Sequence, residues 1–386
     1  MDMDTKELLF LLLRSEICGA ELPEGVGEAL KNGGLESLYA LSKSHDVAQI
    51  VASALQKCEG IQEELLAKLQ KQQMLAVYRC ETFKHELSSI SSVLEEEKIR
   101  YVPLKGSVLR SDYPEDWMRT SCDIDVLVRE EDLDRAVLAL CEKLGYQGDG
   151  KKNYHDVSLF SRGGVHLELH FNICEGMENI DAMLSRVWEF VVPDGENGFR
   201  CRQTAEFFVF HHLAHMSYHF TRGGCGIKPF VDLQIIESKM EYDREIVRSW
   251  CRASGIEAFY DGALELTHAW MGGEKHTERS ELMEEYILKG GVYGTLENMV
   301  SKQRVQRGGH KRYVLSRIFM PYDLLKTVYP VLEKHKWLTP LMQVRRWFRI
   351  LFRGGLKRGA REWSASQSVT DEQEKKMKAL MEQLGL

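Results

Sequence analysis

The chain has 386 residues, a length that suits two or three domains. With 44% hydrophobic and 28% charged residues it has the composition of an ordinary globular protein, and its 8 prolines argue against long disordered linkers. A formal charge of −7 points by itself to neither nucleic acid nor membrane. The 9 cysteines include no CxxC pair, so a thiolate zinc site or a disulfide scaffold is not indicated, and reduced thiols in a cytoplasm are expected.

The N-terminal "MDMDTKELLFLLLRSE" carries acidic residues where a signal peptide needs positive charge. Its apolar run is too short to span a bilayer, and no later run approaches the required length of about 20 residues. An amphipathic helix, and no stable membrane insertion, is the reading. From Thr5 to Ile99 apolar residues recur at three and four spacings, which predicts helices broken at Gly33-Gly34 and Gly60. Residues 1–99 are therefore expected to form an N-terminal helical region.

The pattern changes at Arg100. "IRYVPL" reads as a short strand, Lys105-Gly106-Ser107 opens a helical stretch, and "DIDVLV" is a second strand dense in β-branched residues. "REEDLDRAVLALCEKLGY" follows as an amphipathic helix with acidic residues in its first turn, stopping at Gly145. "HDVSLFS" and "VHLELHF", joined by Arg162-Gly163-Gly164, give a hairpin signal. Residues 100–178 thus form a compact unit, and residues 179–386 are expected to be helical to the end. The fold class is α+β, a small mixed β-sheet core with helical regions on either side.

Within "TAEFFVFHHLAHMSYHF", His211, His215 and His219 share one helix face. The metalloprotease pattern needs a glutamate after its first histidine, and His212 stands there. A histidine-lined wall of a cleft is expected rather than a zinc site. From Lys302 to Arg361 the chain is basic and rich in aromatics. Its "RRWFRILFRGGLKRGARE" suits RNA phosphates with stacking, or an anionic membrane surface. The favoured expectation is a helix packed through Trp347, Phe348, Ile350, Leu351 and Phe352 with its arginines pointing outward.

The chemistry concentrates in Lys105–Val128. On a strand Asp123 and Asp125 point the same way while Ile124 faces the core. Two carboxylates so placed repel one another unless a cation compensates them. Hard oxygen donors at a strand end suit Mg²⁺ (or Mn²⁺) carried with substrate phosphates. If the strand bearing Glu168 lies beside "DIDVLV", Glu168 completes a three-carboxylate cluster able to hold two metals. Asp156 is its competitor for that place. Lys105, Gly106 and Ser107 at a helix start suit phosphate oxygens. His170 shares a face with Glu168 and, with Asp232, is a candidate substrate contact. Asp232, four residues after Lys228, is expected to pair with it on one helix turn.

The run "KGS…DIDVLV…ELH" resembles the nucleotidyltransferase superfamily of the DNA polymerase β type, and more closely its uncharacterised bacterial branch. The likeness extends through "GGCGIKPFVDL" and the C-terminal "IFMPYDLLKTVYPVLEKHKWLTPLMQVRRWFR". The resemblance implies that residues 100–178 are a catalytic core and that the later helices form the other side of a cleft. It implies transfer of a nucleoside monophosphate from an NTP, ATP being the favoured one, to a hydroxyl of a small molecule, an RNA or a protein. It assigns Gly106 and Ser107 to phosphate binding, Asp123 and Asp125 to metal, and Glu168 to the third acid and general base. Arg119 and Lys228 match basic positions in relatives. The gap from Ser107 to Asp123 is longer than in many members, and Glu168 stands where many have aspartate. Non-catalytic, antitoxin-like regulators share the fold and are expected to lack a carboxylate.

Overall fold

Four short strands form the centre of the molecule: β1 (Tyr101–Pro103), β2 (Asp123–Val128), β3 (Asp156–Phe160) and β4 (His166–His170). The computed structural model describes residues 4–23, 25–30, 34–58, 61, 63–148, 151–194, 198–292, 294–352 and 355–386. The strand order is β1-β2-β4-β3, with β2 and β4 parallel and the outer pairs antiparallel. The sheet is therefore mixed, and β3–β4 is the hairpin expected from "RGG".

Alternation along β2 decides which face each residue serves. Ile124, Val126 and Val128 join a core with Ile90, Val93 and Leu94 of the helix α1 (Glu63–Glu96) and with Leu133, Ala136 and Leu140 of α2 (Leu133–Leu144). Each such aliphatic, fully withdrawn from water, contributes on the order of 2 kcal/mol. The opposite face carries Leu127, which joins Val102 and Leu104 in the large core shared with the helices on that side. Asp123 and Asp125 lie on this second face, at the end of the strand where that packing stops.

The N-terminal helix Thr5–Cys18 begins on a capping box of Asp4 and Glu7 and ends at Gly19, whose φ of 69° closes the last turn. It packs against Ala48–Leu55 and against His268–Gly272, where Phe10 stacks on Trp270 at 4.5 Å. Gly34 opens a helix rather than a turn, while Gly33 and Gly60 lie outside the described residues. No helix among the described residues is long and apolar enough to cross a membrane.

Two expectations need correction. The chain beyond Ile180 is not wholly helical, because β5 (Val191–Pro193) and β6 (Cys201–Gln203) pair antiparallel. The Tyr101 amide donates to the Phe199 carbonyl at 3.0 Å, which joins this hairpin to β1. Strands of three residues are too short to display a period of two.

The C-terminal helix Thr339–Phe352 packs as expected only in part, with Trp347 and Ile350 half-buried. Its buried residues are Met342, Gln343 and Arg346, whereas Phe348 is 56% exposed. The side chains of Leu351 and Phe352 lie outside the described residues. Arg346 is drawn in because its guanidinium donates to the carbonyls of Arg317 and Ile318 at 2.9 and 3.2 Å. Those carbonyls end the helix His310–Ile318 and need donors.

Candidate active site

The parallel register of β2 and β4 sets Asp125 opposite Glu168, Asp123 opposite His166, and Leu127 opposite His170. Donor atoms of Asp123, His166 and Glu168 fall within 4.8 Å of one another, as do those of Asp125, Glu168 and His170. The two sets share Glu168, so three carboxylates and two imidazoles meet at the sheet's end. All but His166 line a cleft of about 400 Å³. Its opposite wall comes from α3 (Ala205–Thr221) and the start of α4 (Lys228–Lys239), through His211, His212, His215, His219 and Lys228.

Asp125 is buried, and two cations from the chain sit on it. Lys105 Nζ lies 3.1 Å and His170 Nε2 2.9 Å from the same oxygen, Oδ1. His170 Nε2 is also 3.5 Å from Glu168 Oε2. Burial would raise the Asp125 carboxyl, but Lys105 and His170 outweigh it and hold it well below the carboxylate range. The His170 hydrogen bond likewise depresses Glu168. Burial works against charge on His170 itself, yet its bonds to Asp125 and Glu168 raise it to about 9. Asp123 moves the other way, raised by burial and by the charges of Asp125 and Glu168. His170 thus holds carboxylates in place from a buried position in the lining of the cleft.

Lys105 reaches Asp125 from a strained backbone. It precedes the short helix Gly106–Leu109 with φ 45°, a left-handed conformation that a side chain takes at a cost of about 1–3 kcal/mol. Gly106 is buried next to it. A Cβ there would lie 2.6 Å from Ser121 Oγ and 3.0 Å from Arg119 Nη1, so glycine suits the close approach of the Ser121 and Arg119 side chains. Ser107 is half-buried, its amide donates to the Leu104 carbonyl at 3.0 Å, and it is not among the residues lining the cleft.

The expected pairing of Lys228 with Asp232 does not form. Asp232 Oδ1 accepts from Arg119 Nε at 2.8 Å and from the Tyr113 hydroxyl at 2.6 Å. Lys228 Nζ instead donates to Asp46 Oδ2 at 2.8 Å and to the Thr120 carbonyl at 3.2 Å. A spacing of four residues allowed the local pair, but tertiary partners on both sides took its members. The loop before β2 is therefore tied to α4 by the Arg119–Asp232 ion pair, and to the Lys228–Asp46 pair by hydrogen bonds of Thr120, whose hydroxyl donates to Asp46 Oδ2 at 2.6 Å.

Asp156 does not compete with Glu168. It faces Asn153 Nδ2 at 3.0 Å and Ser158 Oγ at 3.4 Å, and does not line the cleft. Sequence reasoning missed Asp46, Tyr113 and Glu175. Glu175 lies five residues beyond β4 and accepts from His215 Nδ1 at 2.7 Å. An acid following a strand end was its only signal, and Asp46 and Tyr113 had none. Burial lowers His211 to about 3 and also lowers His212, His215 and His219, so these four imidazoles are uncharged at neutral pH. The cleft accordingly sets an ionic cluster against a row of neutral imidazoles with Lys228 beside them.

A family model described as "Uncharacterised nucleotidyltransferase" matches residues 32–272, a span that takes in every cleft residue named above. No curated protein and no solved structure matches the chain.

Proposed function

The chain belongs to the uncharacterised nucleotidyltransferase family, and from that membership we propose that it moves a nucleoside monophosphate from an NTP to an acceptor hydroxyl, releasing pyrophosphate. The observation that carries this reading is the β2–β4 register, which seats Glu168 beside Asp125 with Asp123 on the same face of a cleft large enough for a nucleotide. No member of the carboxylate trio is missing, which disfavours a regulator that has lost its catalytic acids.

The donor set fits a hard divalent cation. Asp123, Asp125 and Glu168 offer oxygen ligands, and the two chain cations on Asp125 share Oδ1, so Oδ2 carries neither contact. Mg²⁺ or Mn²⁺, when bound there, supplies Lewis-acid polarisation of the phosphates and activation of the acceptor oxygen. His170 keeps Asp125 and Glu168 ionised. A Glu168 held ionised in this way serves better as a ligand than as the acceptor's base. Lys105 and Lys228 offer positive charge to the triphosphate from opposite walls. Arg119 and Asp232 brace the turn at Gly106 on which Lys105 depends. The acceptor is a hydroxyl of a small molecule, an RNA or a protein, with ATP the favoured donor. The nine free cysteines suit a reducing, cytoplasmic setting.

The test is incubation with each α-labelled NTP, Mg²⁺ or Mn²⁺ and cell lysate, comparing wild type with Asp125→Ala. Label should enter a discrete product with wild type alone. Transfer absent from wild type, or unchanged in the variant, rejects the reading. Nucleotide binding without transfer supports the regulatory alternative.

A further inference from the structure

We propose that the helical segment 310–352 docks the protein on an anionic lipid surface. This inference is independent of nucleotidyl transfer and concerns residues beyond the family match. Two observations meet there. The first is charge: the segment holds 9 Lys and Arg against 2 Asp and Glu, a balance of +7 in a chain whose total is −7. The second is apolar exposure. Half of the large apolar side chains exposed among the described residues fall between Leu315 and Phe348. Trp337 is 77% exposed, and Leu315, Phe319 and Leu341 each show more than half of their surface.

These side chains are held on a folded support. Leu325, Tyr329, Leu332 and Met342 form a small separate core, and Arg346 and Trp347 tie the helix Thr339–Phe352 to the end of His310–Ile318. With its buried side turned inward, the Thr339–Phe352 helix presents Leu341, Val344 and Phe348 at i, i+3 and i+7, with Arg345 and Arg349 alongside. Both arginines lie over the Tyr329 ring, at 5.8 and 5.4 Å from its centroid. An apolar stripe edged by basic residues inserts at the boundary of headgroups and acyl chains while its cations meet lipid phosphates.

RNA is the less fitting occupant. It would reward the basic and aromatic residues but give nothing for exposed Leu315, Ile318, Leu341 and Val344, which have no base to stack on. A second copy meeting the same face would bring two segments of +7 together. A lipid surface rewards the aliphatic and the basic residues at once.

The test is co-sedimentation of the full chain with vesicles of phosphatidylcholine alone and of phosphatidylcholine with phosphatidylglycerol. Binding should appear only with the anionic lipid and fall as salt rises. Each basic residue near such a surface is worth about fivefold in partitioning, so Arg345→Gln with Arg349→Gln should weaken binding about 25-fold. Trp337→Ser with Leu341→Ser removes apolar contact without touching charge, and should weaken binding at high salt as well as low. Circular dichroism of both variants should match wild type. Failure to bind anionic vesicles overturns the proposal, as does binding that both pairs of substitutions leave unchanged. Binding of homopolymer RNA without vesicle binding, or dimerisation through this face that anionic vesicles do not disrupt, also overturns it.

Discussion

Removing the Asp232 carboxylate tests whether the loop before β2 is held by a buried charge pair. Arg119 and Asp232 have side chains only 11% and 3% exposed, so water screens their 2.8 Å contact little. Burial opposes ionisation of Asp232, but the facing guanidinium of Arg119 holds its carboxyl below the usual range. Asp232→Ala leaves that guanidinium buried with bonds only to the Thr120 carbonyl and Ser121 Oγ, and leaves the Tyr113 hydroxyl without its acceptor. Stranding one partner of a buried pair costs about 3–5 kcal/mol. At about 2–4 °C per kcal/mol for a domain of this size, the melting midpoint should fall on the order of 10 °C. Thermal unfolding by circular dichroism, with urea midpoints alongside, reads the effect. Replacing both partners, Arg119→Met with Asp232→Leu, should recover most of it, since neither charge is then stranded. A midpoint for Asp232→Ala within about 2 °C of wild type would refute the reasoning.

Gly106→Ala should destabilise wild type by about 1–3 kcal/mol, because its Cβ meets Ser121 Oγ and then Arg119; in a Ser121→Ala background, which removes the nearest atom, the penalty should shrink in the same melts. Stability should also fall on acidification. His45, driven by burial to about 4, and His211, driven by burial to about 3, fold neutral, while their unfolded forms take up protons near pH 6.5. Their contribution is therefore complete above pH 6.5 and drains away as the pH falls towards 4 and 3, at about 1.4 kcal/mol per pH unit for each group. Urea titrations across that range should show the slope, and His45→Asn should flatten part of it. Mg²⁺ at about ten times its dissociation constant should add about 1.4 kcal/mol to wild-type stability and none to Asp123→Asn with Asp125→Asn, read by thermal shift. Trp270→Ala should cost about 3–5 kcal/mol in denaturant unfolding, as Trp270 is fully buried against Phe10 and donates to Glu284 at 2.9 Å.

What the sequence made legible was local. β2 could be read because Ile124, Val126 and Val128 make it dense in β-branched residues, and the β3–β4 hairpin because Gly163-Gly164 separates two alternating runs. The adjacency of Asp125 and Glu168 needed one further condition, the pairing of β2 with β4, which the structure meets. The rest depended on partners far along the chain. Nothing near Lys228 signals Asp46, which lies 182 residues away, and a four-residue spacing to Asp232 suggested the wrong partner. The arginines of the C-terminal helix looked interchangeable. Only the position of the Ile318 carbonyl distinguishes buried Arg346 from exposed Arg345 and Arg349. Lys105 was legible as a cation for phosphate or for offsetting the aspartates, but the bond from His170 to Asp125 was hidden, since sharing a face with Glu168 does not signal it.

The Arg119–Asp232 contact also bears on how the protein is made. Its members are 113 residues apart, and ribosomes deliver about 5–20 residues per second. The β2 carboxylates therefore emerge on the order of 10 s before Asp232, a wait far longer than helix or hairpin formation. During that interval the loop ahead of β2 has neither its brace on α4 nor Lys228 to draw Thr120 and Asp46 together. A nascent chain stalled before Asp232 should have its sheet and α2 but a protease-sensitive stretch from Ser107 to Cys122, and release past α4 should close it.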